Sequence, residues 1–177
     1  MKSFKQTKEE QFDKILQTIE DEEYKEWLIR NKGTFICRPK TQKKAYLDAL
    51  EEFEETNKTL NMKAFYKGEI YFADLSPKTS GKIRPVLIFQ NDRLNKAVKL
   101  NLYHTIVVMP LTSRLLGGDY RVRIKARENL IKTSEIVCNA IGIVSADRIL
   151  FKRGKITVLS EYEKNEVQKK LALLMAK

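Results

Sequence analysis

The sequence predicts an α+β chain: a helical N-terminal segment, then a small antiparallel, barrel-like β domain closed by one C-terminal helix. Three observations carry this. Apolar residues recur at spacings of three and four in the first third of the chain. Short runs with a period of two follow it, bounded by turn residues. The charge divides at the same place: residues 1–64 hold 13 Lys and Arg against 13 Asp and Glu, whereas residues 65–177 hold 21 against 10. The whole net charge of +11 therefore belongs to the second part. The predicted organisation is a helical extension, 1–64, and a β domain, 65–177, with the boundary near 57–66.

The helices come first. Thr7 and Glu10 have capping-box spacing, and Phe12, Ile15, Leu16 and Ile19 then share one helical face. Tyr24, Trp27 and Leu28 continue on a second short helix, which Gly33 and the Arg38-Pro39 step bring to an end. Thr41 caps a predicted third helix, with Tyr46, Ala49, Leu50 and Phe53 on one side and Glu51, Glu52, Glu54 and Glu55 on the other. Nothing in this part has a catalytic pattern.

The strands follow. In "GEIYFADL" Ile70 and Phe72 alternate with Glu69, Tyr71 and Ala73. "RPVLIFQN" and "LYHTIVVMPL" read as short apolar strands, and "EIVCNAIGIVSADRIL" as another. "DYRVRIKAR" sets Tyr120, Val122 and Ile124 against Arg121, Arg123, Lys125 and Arg127, a strand with one wet and strongly basic face. "RGKITVL" is a last short strand. Ser160 and Glu163 form a second capping box, opening a helix with Val167, Leu171 and Leu174 inward.

Composition excludes several classes. No stretch approaches the 18 or so apolar residues that a bilayer span needs, and the first residues, "MKSFKQTKEEQF", lack the apolar core of a secretory signal. Cys37 and Cys138 stand alone, which suits buried thiols in a reducing, cytoplasmic setting. One histidine and no Cys/His cluster argue against a zinc site, and no cofactor motif is present. A domain carrying +11 attracts polyanions, nucleic acid above all, although a merely solvated basic surface explains the same charge.

One junction stands out. Arg84 lies directly before Pro85, at the threshold of the apolar run Val86–Phe89. A residue before proline is pushed toward extended geometry, and proline is tolerated where a strand begins. Arg84 is thus expected to be held extended at the rim of the sheet. Alone, the dipeptide is equally an ordinary surface arginine.

The order and spacing of "GEIYFADLSP", "KIRPVLIFQND", "TIVVMPLTS", a strand ending in "DRI", and a helix opened by "LSEYE" resemble the PemK/MazF-type toxin endoribonucleases over roughly residues 66–175. The resemblance implies an SH3-like barrel, a homodimer, a cognate antitoxin, and cleavage of single-stranded RNA (messenger RNA included) without metal or cofactor. It makes Arg84 and Thr112 the catalytic pair. Lys78, Lys82 and Arg114 flank these two blocks and either hold RNA phosphates or are merely solvated, and Ser113 and Asn139 complete the candidate RNA contacts. The chemistry suits those types. Attack of the 2′-hydroxyl on its own phosphorus builds charge on non-bridging oxygens, and a fixed guanidinium offers bidentate donors to them.

This chain also departs from the family. The loop "SPKTSGK" lacks the usual Gly-Ser-Glu stretch, and Asn139-Ala140-Ile141-Gly142 stands where Asp-Gln-x-Arg is common. Asn139 retains hydrogen-bonding capacity but is no carboxylate base. A catalytically weakened RNA- or protein-binding relative is therefore the alternative, and a topoisomerase poison on a related barrel a more distant one. His104 as a general base, Asp74 as a brace for the Arg84 loop, and Arg148 as an ion-pair partner each have a structural reading beside the functional one. The extension 1–64 is either a docking or structural addition, or a tethered acidic element that modulates access to the basic barrel. A short linker would hold it there at an effective concentration of about millimolar.

Overall fold

The computed structural model describes residues 8–36, 64–75 and 83–176, and its internal contacts divide the chain into two units, Met1–Met62 and Lys63–Lys177. The first contains α1 (Lys8–Gln17), α2 (Glu22–Arg30) and the short α3 (Lys32–Ile36). Asp21 caps α2 by accepting from the Tyr24 N–H at 3.0 Å. Phe12 stacks on Phe35 with ring centroids 6.1 Å apart, and Trp27 tilts onto Phe35 at 5.9 Å. On the α1 stripe Phe12 and Ile19 are buried, while Ile15 and Leu16 are half-buried. The Thr7 cap, the Thr41-capped helix with its glutamates, Cys37, Lys78 and Lys82 lie outside the described residues.

The second unit is a curled antiparallel half-barrel sheet. Its strands are β1 (Glu69–Asp74), β2 (Ile83–Ile88), β3 (Thr105–Thr112), β4 (Arg121–Ile124), β5 (Ser134–Val137), β6 (Gly142–Ser145) and β7 (Thr157–Val158). They run in the order β4-β5-β3-β2-β1-β7, with β6 on the same edge of β3 as β5. The concave side buries Ile70, Leu87, Met109, Leu111, Ile124 and Ile136. A C-terminal helix, Glu161–Met175, seals it with Val167 and Leu171. The Ser160–Glu163 capping box is present in both directions.

Four features differ from expectation. β1 is covered on both faces, because Tyr71 and Ala73 are buried as well as Ile70; Phe151 packs on Tyr71 at 5.1 Å and on Phe65 at 4.8 Å. A helix that the sequence reading passed over, Asp92–Lys99, joins β2 to β3 and is capped by Asn91 through the Leu94 N–H. The predicted long apolar strand is broken. Leu111 pairs with Ile136 and Val108 with Gly142, so residues 139–141 bulge out while Cys138 stays in the core and the chain continues along β3. Finally, the basic face of β4 is partly neutralised. Arg121 and Arg123 face Glu135, and Arg127 forks onto Glu163.

Candidate active site

Two prolines shape the opening. The Ile88 carbonyl accepts from Gly68 on the β1 side, and the Phe89 N–H donates to Val107 on the β3 side. Alternation therefore turns the nitrogen of Pro85 toward β3. Having no N–H, it cannot extend the ladder beyond the last β2–β3 pair, Val86–Pro110. Pro110 sits where β3 changes partner from β6 to β5, and its nitrogen faces that seam rather than an intact ladder. The strands part here and a groove of about 900 Å³ opens between them.

Arg84 and Thr112 stand two residues beyond the Val86–Pro110 pair, on opposite strands and on the same face. Both line the groove, as do Ser113 and Arg114. Arg84 is half-buried within β2, opposite Ala73 of β1, which limits where its guanidinium can reach. The Thr112 Oγ1 accepts from the Arg114 N–H at 3.2 Å. Its own O–H is thereby left to donate, a geometry suited to a phosphate oxygen.

The neighbouring strand supplies a carboxylate. Thr112 pairs with Glu135 on β5, and Glu135 pairs in turn with Arg123 on β4. Directly opposed residues project to one face, so Arg84, Thr112, Glu135 and Arg123 occupy one side of four adjacent strands. Glu135 is 1% exposed. It accepts from the N–H groups of Leu116 at 3.0 Å and Gly117 at 3.1 Å, and from Arg123 Nη2 at 3.0 Å. Arg121 Nη1 stands 3.5 Å away. Burial pushes its carboxyl up, but Arg123 and the two amides outweigh burial and hold it below the usual carboxylate range.

This pairing sorts the cations of the groove. Arg121, which lines the groove, forms an ion pair with Glu135 at 3.5 Å without a hydrogen bond, and Arg123, which lies outside the lining, hydrogen-bonds the same carboxylate. The side chains of Arg84, Arg114 and Lys132 line the opening with no hydrogen bond or ion pair to another described residue. The remaining predicted residues sit elsewhere. Asn139 is exposed on the 139–141 bulge and does not line the groove. His104 precedes β3, at the end opposite Thr112, where its carbonyl accepts from Ala146. Asp74 and Arg148 approach each other to 3.9 Å, the ion pair expected of Arg148.

Sequence reasoning missed Glu135, which pairs with Thr112 outside the groove lining, and Lys132, which lines the groove. A signal existed for the first: a glutamate inside the apolar run "SEIV" needs cationic partners if that run is buried. Among the described residues no three His, Cys, Asp or Glu side chains cluster as a metal site, and no helix is long and apolar enough to cross a membrane.

Known proteins share this architecture. The family described as "PemK-like, MazF-like toxin of type II toxin-antitoxin system" matches residues 66–175. Endoribonuclease MazF of Staphylococcus saprophyticus is 33% identical over 107 residues, which cover 57% of this chain and 82% of that protein. The solved MazE-MazF structure (Form-III) from Deinococcus radiodurans superposes with a TM-score of 0.50 at 16% identity, over 64% of this chain and 97% of that one. An endoribonuclease from Mycobacterial species gives 0.50 at 19%, over 64% and 92%. At such identities the two structures speak for the half-barrel fold alone, and the family match carries the assignment. By that match, this chain belongs to the PemK-like, MazF-like toxins of type II toxin-antitoxin systems.

Proposed function

We propose that the protein is a toxin endoribonuclease that cleaves single-stranded RNA without a metal, and that its helical extension, 1–64, precedes the catalytic barrel, 65–177. The observation that carries the reading is the groove in which Arg84 and Thr112 share one face, beside cations not committed to other described residues. An RNA phosphate seated there meets the Arg84 guanidinium on its non-bridging oxygens and the Thr112 hydroxyl beside them. The 2′-hydroxyl gives up its proton to solvent as its oxygen attacks phosphorus, and the bond from phosphorus to the 5′-oxygen breaks. A 2′,3′-cyclic phosphate remains on one fragment, and the departing 5′-oxygen takes up a proton to become a hydroxyl. Arg84 favours the step because charge on the phosphoryl oxygens is greatest in the transition state.

The donor chemistry supports a metal-free route. Glu135, the carboxylate beside Thr112, spends its oxygens on two amides and an arginine rather than on a metal ion. Ser113, Arg114, Lys78 and Lys82 hold flanking phosphates in this reading, and Asn139 acts, if at all, from outside the groove. A cognate antitoxin and a homodimeric barrel belong to the same proposal. The test is incubation of the purified protein with a long mixed-sequence RNA in EDTA, followed by end mapping. Fragments with 5′-hydroxyl ends are expected. Cleavage that stops in EDTA and returns with magnesium overturns the metal-free mechanism, and RNA binding with no cleavage favours the weakened relative.

A further inference from the structure

We propose that Glu135 is a positioning residue for RNA cleavage: it ties down the loop carrying Arg114 beside Thr112, and it withdraws Arg121 and Arg123 from the groove's field. The inference rests on the endoribonuclease reading, but it concerns a residue outside the Arg84–Thr112 pair.

The loop 113–120 leaves β3 immediately after Thr112. Its first turn is fixed by Thr112 itself, through the Arg114 N–H. Its second turn is held by Glu135, with the Leu116 N–H also donating to the Arg114 carbonyl at 3.2 Å. The amides of Leu116 and Gly117 both point at that carboxylate, the Gly117 N–H shared between the two oxygens at 3.1 Å each. Gly117 and Gly118 adopt φ of +66° and +104°, which lets successive amides converge on one anion. Two amides and two guanidiniums form the kind of cradle that binds a phosphate, and here the protein's own carboxylate fills it. Leu116 is largely exposed despite that amide bond, so packing does little to hold the loop in place.

Two consequences follow. First, the Arg114 backbone is held at both sides, so its side chain enters the groove from a defined point rather than from a swinging loop. Second, Glu135 cancels one of the two charges that Arg121 and Arg123 bring, so the basic strand attracts RNA less at this place. A phosphate in the groove is directed to Arg84, Arg114 and Lys132 instead of binding along Arg121 and Arg123, out of register with the 2′-hydroxyl that must attack.

The test compares full-length wild type with Glu135→Gln, which keeps the side chain's shape but removes its charge. Hydrogen exchange is read at the Leu116 and Gly117 amides. Cleavage is read as kcat and KM across a salt series, and binding as the salt dependence of RNA affinity with Arg84→Ala added to prevent turnover. In Glu135→Gln, exchange at those two amides should accelerate about 10-fold or more while β1, β2 and β3 keep their protection. The kcat should fall about 10-fold without a rise in KM. The slope of log affinity against log salt should steepen by about 0.7 for each arginine released.

A purely structural glutamate would accelerate exchange across the whole barrel and leave kcat per folded molecule unchanged; that result overturns the proposal. So does unchanged exchange at Leu116 and Gly117. If Glu135→Gln does not fold, Arg123→Gln serves in its place, because that side chain is more than half exposed. It should accelerate exchange at the same two amides a few-fold, and no local change there counts against the role. If wild type cleaves no RNA, the cleavage reading fails, whereas the exchange and binding measurements still decide whether Glu135 ties the loop and masks the arginines.

Discussion

Replacing Arg127 by methionine should cost the barrel about 3 kcal/mol. Arg127 follows β4 and donates four hydrogen bonds: two to the Glu163 carboxylate at 2.7 and 2.6 Å, one to the Val158 carbonyl at 2.8 Å and one to Thr157 Oγ1 at 3.1 Å. Glu163 also closes the capping box of the C-terminal helix, so one guanidinium joins that helix to β7. Methionine keeps the bulk of the side chain and removes every donor, leaving a carboxylate only 12% exposed without its cation. Breaking a buried pair in this way typically costs about 3–5 kcal/mol. The lower end applies because Arg127 itself is 30% exposed and solvent screens part of the loss.

A loss of that size corresponds to a fall in Tm of roughly 10 °C for a domain this long. Urea unfolding followed by far-UV circular dichroism is the appropriate assay, since the only tryptophan, Trp27, lies in the other unit. The pH dependence supplies a second check. Burial raises the Glu163 carboxyl, but Arg127 and Ser160 outweigh it and hold it below the ordinary range. A depressed folded value means the contribution is complete above the unfolded carboxylate pKa and is lost as pH falls through the folded one. The gap between wild type and Arg127→Met should therefore be widest near neutrality and close progressively below about pH 4. A gap under about 1 kcal/mol at pH 7, or one that stays constant down to pH 3, would refute the argument.

Further outcomes concern the groove and the core. Arg84→Ala should leave the circular dichroism spectrum intact and slow RNA cleavage about 10²-fold or more, the scale for losing a donor to transition-state charge; near-normal turnover would reduce Arg84 to a surface residue. Thr112→Val keeps the shape of the side chain while removing its hydroxyl, so a loss of rate with little change in stability is expected, and an unchanged rate would remove Thr112 from the mechanism. Cys138 is fully buried, and burial pushes its thiol up to about 11. In a Cys37→Ser background at pH 8 it should resist iodoacetamide until urea is added, and rapid labelling of the native protein would contradict that burial.

Much of this was legible in the chain. Apolar spacing located α1, α2, β1, β4 and the closing helix, and the Ser160–Glu163 spacing marked a cap that forms as expected. The Arg-Pro and Pro-x-Thr-Ser blocks located the two residues that line the groove. These are local patterns, set by periodicity and by the conformations that proline and capping residues allow. The Asp92–Lys99 helix was missed although Asn91 caps it, because only eight residues separate its ends and its apolar stripe is short.

The relations between strands were decided only in three dimensions. That Arg121 and Arg123 neutralise Glu135 depends on the β4–β5 register, and that Glu135 flanks Thr112 depends on the β3–β5 register. Sequence alone made that strand a free basic face, since alternation gives the side of a sheet on which a residue lies but not what stands opposite it. The bulge at 139–141 likewise moves Asn139 out of the groove that its place in the sequence suggested. Periodicity is a property of one segment, whereas register belongs to two. It is set by the ladder and by the points where Pro85 and Pro110 prevent that ladder from continuing.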